Sequence, residues 1–131
     1  MFTIDQITEA HDKVRSGADF PKYIQELISM NIASYETYVS DGHTEYIGKD
    51  NSRLLSEARY PAIEVAPVGD AQKFGHYLRI HQQGQTSYPV FCNHSAETGV
   101  EKWTVDINSM TCTYYDKKGN QLLVEEIPDD L

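Results

Sequence analysis

Apolar residues near the amino terminus recur at helical spacing. Ile4, Ile7, Ala10, His11 and Val14 share one stripe in FTIDQITEAHDKVRSG. Thr3 and Gln6 are spaced as a capping box, and Phe2 and Ile7 as a hydrophobic staple. Lys13 and Arg15 stand near the negative end of the helix dipole, and Gly17 is the expected stop. A second helix is predicted over DFPKYIQELISMN, with Asp19 as its cap and Phe20, Tyr23, Ile24, Leu27 and Ile28 on one face. After Asn31 the period drops toward two. Tyr35, Thr37 and Val39 alternate with Glu36 and Tyr38, which is a half-buried strand. Asp41 and Gly42, both of which tolerate positive φ, predict a hairpin turn, and HTEYI returns. GKDN turns again, and RLLSEA reads as a third strand, with a short helix as the alternative. Pro61 and Pro67 keep YPAIEVAP extended, at an edge or as the link between halves.

The same programme restarts at Val68. Asp70 caps a third helix with Ala71, Phe74, Tyr77 and Leu78 on its apolar side and Gly84 at its end. Ser87 caps a fourth, with Tyr88, Phe91, Cys92 and Ala96 as its stripe and Gly99 as a left-handed terminator. The strands EKWTVDI, TCTYY and QLLVEEI follow. A shift of 68 positions aligns the two runs without a gap: Pro21, Tyr46, Lys49, Leu54, Leu55 and Glu57 recur as identities, and Tyr35 meets Trp103. Asn31 meets Gly99, the two residue types that most readily end a helix in the left-handed region. The expected fold is α+β, a tandem pseudo-twofold α-α-β-β-β repeat with the helices packed on one side of an antiparallel sheet. Residues 1–131 are read as one domain with internal halves 1–67 and 68–131.

Composition narrows the setting. Eleven basic residues stand against twenty acidic ones in 131, a net charge of −9, and no basic patch is visible, so neither nucleic acid nor membrane is expected as a partner. No stretch reads as a signal peptide or a membrane span, and a cytoplasmic location is expected. Two cysteines, Cys92 and Cys112, do not make a disulfide framework.

Candidate chemistry is sparse. Cys92 and His94 are two positions apart, and such residues do not face each other on a helix. Cys92 takes the position of Ile24 and is read as a packed thiol; His81 is the partner to test for it in the catalytic alternative. His43 and Glu45 share strand parity and are weak candidates for acid–base or ligand roles; a solvated hairpin tip is the simpler reading. His11, on an apolar stripe, reads as an interior or interface histidine. His76 and His81 do not have metal-ligand spacing, and neither a metal nor a cofactor is expected. Glu125 and Glu126 point to opposite faces of a strand, whereas Glu36 and Glu45 meet only in a suitable register. The acidic tail EEIPDDL reads as a solvated terminus.

Four helices cover one side of the predicted sheet and leave Glu36, Tyr38, Thr104, Asp106 and Tyr115 on the other. Glu36, Tyr38, Asp106 and Tyr115 form the expected binding surface, for a homodimer, another protein or a small molecule. The run SGADFPKYIQELISMNIASYETYVSDGHTEY, with GVEKWTVDINSMTCTYYDKKGNQLLVEEIP, resembles an uncharacterised bacterial domain family whose members are sometimes labelled phage envelope proteins. The resemblance spans essentially the whole chain. It implies a prophage origin and brings no catalytic or ligand-binding residues with it. The reading is therefore a small interaction or ligand-binding protein without a recognisable catalytic motif. The alternative is a small-molecule hydrolase or transferase with a cleft between the two halves.

Overall fold

A computed structural model describes residues 2–14 and 19–127. The elements are α1 (Ile4–Asp12), α2 (Phe20–Ser29), β1 (Ile32–Tyr38), β2 (Thr44–Gly48), β3 (Arg53–Leu55), α3 (Ala71–Gln82), α4 (Tyr88–Glu97), β4 (Lys102–Asp106), β5 (Thr111–Tyr115) and β6 (Gln121–Glu126). Local chemistry sets most of their starts. Thr3 and Gln6 form the reciprocal capping box on α1. Asp70 accepts from the Lys73 N–H at 3.0 Å, and Ser87 from the Val90 N–H at 3.4 Å. Asp19 stands at the α2 N-cap without a side-chain capping bond, and Pro21 in the first turn fixes the entry instead. Helix α1 stops at Asp12, with Lys13 as its C-cap and bonded to Glu26 at 3.1 Å. The expected stop at Gly17, Arg15 near the dipole, and the tail from Pro128 onward lie outside the described residues. Ala71, expected on the apolar side of α3, is exposed in its first turn.

All six strands form one antiparallel sheet in the order β3-β2-β1-β4-β5-β6. At its centre Glu36 lies opposite Thr104, residues 68 positions apart. Tyr35 pairs with Tyr46 and Thr37 with Thr44; 68 positions later Trp103 pairs with Tyr114 and Val105 with Cys112. The outer strands break this correspondence. Tyr46 lies opposite Leu54, but an irregularity at Tyr114/Tyr115 sets Tyr114 opposite Leu123. That one-residue slip puts Glu125 opposite Cys112 on the helix-facing side and leaves Val124 outward and 52% exposed.

The backbone repeats at the same spacing. Positive φ occurs at Asn31 (62°) and Gly99 (83°), Gly42 (77°) and Met110 (54°), and Asn51 (67°) and Gly119 (83°), each pair 68 positions apart. At Gly99 the absence of a side chain also permits close packing, since a Cβ there would lie 2.5 Å from the Val68 carbonyl oxygen. The first hairpin differs from the expected two-residue turn. Residues 39–43 form the connection, the Gly42 N–H donates to Tyr38 O at 2.8 Å, and of Asp41 and Gly42 only the glycine has positive φ.

The sheet face bearing Tyr35, Thr37, Thr44, Tyr46, Trp103, Val105, Cys112 and Tyr114 is buried under the helices, whose inward residues include Ile7, Ile24, Leu27, Phe74 and Phe91. Each fully buried side chain of this size contributes about 1.5–3 kcal/mol. The segment after β3 links the halves rather than adding an edge strand. Ile63 N–H donates to Ser40 O at 2.7 Å and Ala66 N–H to Ala96 O at 2.9 Å, which carries the chain from the end of β1 to α4.

Candidate functional site

Between the helix layer and the sheet lies a partly open cavity of about 60 Å³. Its floor is Tyr35, Tyr46, Trp103 and Tyr114 from β1, β2, β4 and β5, and its roof includes Phe20 and Tyr23 of α2 and Tyr88 and Phe91 of α4. These rings form four pairs separated by 68 positions, so each half supplies the same walls. They interlock at the edges. His11 meets Tyr23 at 5.3 Å and Tyr88 at 4.8 Å, both near perpendicular, and Trp103 meets Phe91 at 5.7 Å and Tyr114 at 6.0 Å.

Polar groups enter at the two flanks. Arg59 reaches the cavity from the segment after β3, its backbone N–H held by Asp41 O at 2.8 Å. Among the described residues its guanidinium makes no salt bridge. Burial lowers the pKa of His11 to about 4; the charge of Arg59 adds to this and Asp12 opposes it, so the imidazole is neutral near pH 7. On the opposite flank Glu125 accepts from the Tyr114 hydroxyl at 2.7 Å on one oxygen and from Gln82 on the other. Burial raises the pKa of this carboxyl, with the bonds from Tyr114 and Gln82 opposing only part of the shift. His81 Nδ1 lies 3.1 Å from both the Thr86 carbonyl oxygen, which can only accept, and the Thr86 hydroxyl, which can donate or accept. Burial is the largest influence on His81 and lowers its pKa; the Thr86 carbonyl opposes that shift.

The residues singled out in the sequence divide among three places. His81 lines the cavity and stacks on Phe91 at 4.3 Å. Cys92 is buried in α4, and its thiol is held above its usual range by burial, with the Tyr60 and Tyr88 hydroxyls opposing. His94 stacks on Tyr77 at 3.8 Å, with Nδ1 buried and without a hydrogen-bond partner among the described residues. Glu36, Tyr38, Asp106 and Tyr115 lie on the open sheet face, as does Glu45. Glu36 and Glu45 are directly opposed, yet each has its own cation: Lys102 bridges Glu36 and Arg53 bridges Glu45. Lys102 also sits 5.8 Å and 5.5 Å from the Tyr38 and Tyr115 rings. His43 precedes β2 in the loop, stacked on Tyr38 at 4.5 Å with Nδ1 against Asp41. The structure thus does not bring His43, Glu45, Cys92 and His81 together.

Arg59, Gln82 and Glu125 were not singled out as cavity groups from sequence. Arg59 follows a three-residue strand in a stretch with no periodicity, and the inward turn of Glu125 depends on the slip beside Tyr114. Among the described residues no group of three or more His, Cys, Asp or Glu side chains is placed to hold a metal ion, and no helix is long and apolar enough to cross a membrane.

Fold and cavity together define an α+β protein whose two α-α-β-β-β runs close an aromatic chamber over one sheet. The chain belongs to a family described as protein of unknown function (DUF1398), whose model matches residues 8–126. It is similar to the uncharacterized protein YcgX of Escherichia coli (strain K12), at 24% identity over 119 residues covering 91% of this chain and 89% of that protein. Neither description carries a functional statement.

Proposed function

We propose that this chain binds a small, flat, largely apolar molecule in the chamber between its helix layer and its sheet. One observation supports the reading: aromatic side chains from both halves, 1–67 and 68–131 of one domain, line a partly open cavity whose polar side chains include Arg59, His11, Glu125, Gln82 and His81. Binding is favoured over catalysis because, among the described residues, no nucleophile stands beside an oriented base there. Burial raises the Cys112 thiol strongly, and His81 is fixed by Thr86. A reducing cytoplasmic setting accords with two buried free thiols. A ring exceeds the enclosed space of about 60 Å³ and sits partly in the open mouth, and association itself costs several kcal/mol, so a neutral single-ring compound should bind in the millimolar range or more weakly.

The only tryptophan in the sequence, Trp103, lines the cavity and reports on it directly. Titration with benzyl alcohol should change Trp103 emission saturably and raise the melting temperature. Val14→Phe, at the cavity wall, should keep the fold by circular dichroism and weaken the change. Absence of any saturable response from ring compounds in the unaltered protein would reject the reading.

A further inference from the structure

This inference rests on the ligand-binding reading above and specifies the ligand's chemistry. We infer that the cavity selects a carboxylate carried on a single flat ring, with Arg59 as the side chain that recognises the anion.

Location singles Arg59 out: among the described residues that make no salt bridge, it is the lysine or arginine that lines the cavity. The chain has 20 acidic residues against 11 basic ones, and Lys13, Arg53, Lys73 and Lys102 each pair with a glutamate. Arg59 lines the aromatic cavity and makes no salt bridge among the described residues, although carboxylates are in excess. A guanidinium is planar and matches a carboxylate with two parallel hydrogen bonds, and low polarity around it strengthens that pairing.

The side chain also starts from a fixed base. Besides the Arg59 N–H bond to Asp41, the Tyr60 hydroxyl donates to Val39 O at 2.5 Å. Gly42 makes this close approach feasible: a Cβ there would lie 2.7 Å from Tyr60 Cε2 and 3.2 Å from Arg59 Cβ. The glycine is therefore a positioning residue for Arg59 through the β1–β2 loop.

The remaining polar groups set the ligand's sign. His11 contributes a ring nitrogen without a competing positive charge at neutral pH. Glu125 comes from β6, at the sheet edge opposite β3, and its two oxygens are already occupied by Tyr114 and Gln82. It does not neutralise Arg59 by a salt bridge, and it disfavours a second negative charge at the far end of the ligand. A monocarboxylate fits this polarity better than a dicarboxylate.

The test compares benzoate, benzamide and terephthalate by Trp103 emission and calorimetry, using the full chain, Arg59→Gln and Arg59→Lys, each checked by thermal melt. Benzoate should bind at least tenfold more tightly than benzamide and terephthalate, with the preference shrinking as salt rises. Arg59→Gln should remove the preference while leaving benzamide binding within about twofold, and Arg59→Lys should retain part of it. Bound benzoate should also raise the pH at which the His11 ring titrates by NMR. Equal binding of benzoate and benzamide to the unaltered protein would overturn the anion assignment and leave the ligand-binding reading intact. Failure of both rings to bind would remove the two together. If Arg59→Gln does not fold, persistence of the full preference at high salt or its complete loss in folded Arg59→Lys would refute charge recognition by Arg59.

Discussion

Acid should weaken this protein through His11, and the size of the effect follows from where that ring sits. His11 lies between Tyr23 of α2 and Tyr88 of α4, with Arg59 reaching in from the segment after β3 and Asp12 beside it on α1. Its pKa falls from 6.5 to about 4 on folding. Between those values the unfolded chain takes up a proton that the folded chain refuses, so this contribution is complete above pH 6.5, is lost progressively as pH falls from 6.5 toward 4, and changes little below that. At about 1.4 kcal/mol per unit the loss approaches about 3 kcal/mol, a substantial part of the 5–15 kcal/mol typical of a domain. His81, also lowered, acts in the same direction; Glu125, raised, acts in the opposite one above its usual carboxyl range. Comparison with His11→Gln removes these shared contributions. Urea unfolding of both proteins at pH 7.5, 6, 5 and 4.5, at constant ionic strength, should show the unaltered protein losing stability faster. The gap should widen by about 1 kcal/mol per pH unit below 6. Parallel pH profiles, or a His11 resonance titrating near 6.5 in the folded protein, would refute the buried neutral imidazole.

Two further substitutions probe the frame around the cavity. Gly99→Ala should cost at least about 2 kcal/mol by urea midpoint, because it adds left-handed strain at φ 83° and sets a Cβ 2.5 Å from Val68 O and 2.6 Å from Gly69 Cα; a cost below about 0.5 kcal/mol would contradict that packing. Cys92→Ser should cost about 1 kcal/mol, the low end for a buried hydroxyl because Tyr60 and Tyr88 are there to bond it, and a thiol reagent should label native Cys92 only slowly at neutral pH; rapid native labelling would return Cys92 to the catalytic candidates.

What could be seen in the sequence was what local geometry decides. Helical spacing put Tyr23, Ile24 and Leu27 inward, alternation put Tyr35 and Trp103 on the helix-facing side, and Asp70 and Ser87 marked helix starts through bonds spanning three residues. Strand order was not visible, because the central pairing of Glu36 with Thr104 joins segments 68 positions apart that carry no local mark of each other. The inward turn of Glu125 was hidden for a related reason. Period-two reasoning assigns a face only within an unbroken register, and the slip beside Tyr114 resets the pairing.

The spacing of 68 nevertheless helps to separate scaffold from chemistry. Positions that keep their character across it, such as Tyr46 with Tyr114 and Tyr35 with Trp103, build the chamber walls. Several positions that lose it bring in polarity, whereas Glu125 matches Glu57 in sequence and turns inward through the register slip. Arg59 corresponds to buried Ile127, His81 to exposed Lys13, and His11 to exposed Arg79. A cavity that merely filled the gap between two similar halves would carry similar groups on both flanks. Here one flank holds Arg59 with neutral His11 and the other holds Glu125 with Gln82 and His81, so the chamber has two chemically distinct ends, which on the proposed ligand-binding reading would orient an occupant. The mismatched positions are therefore the ones whose exchange should alter ligand choice while leaving the aromatic walls in place.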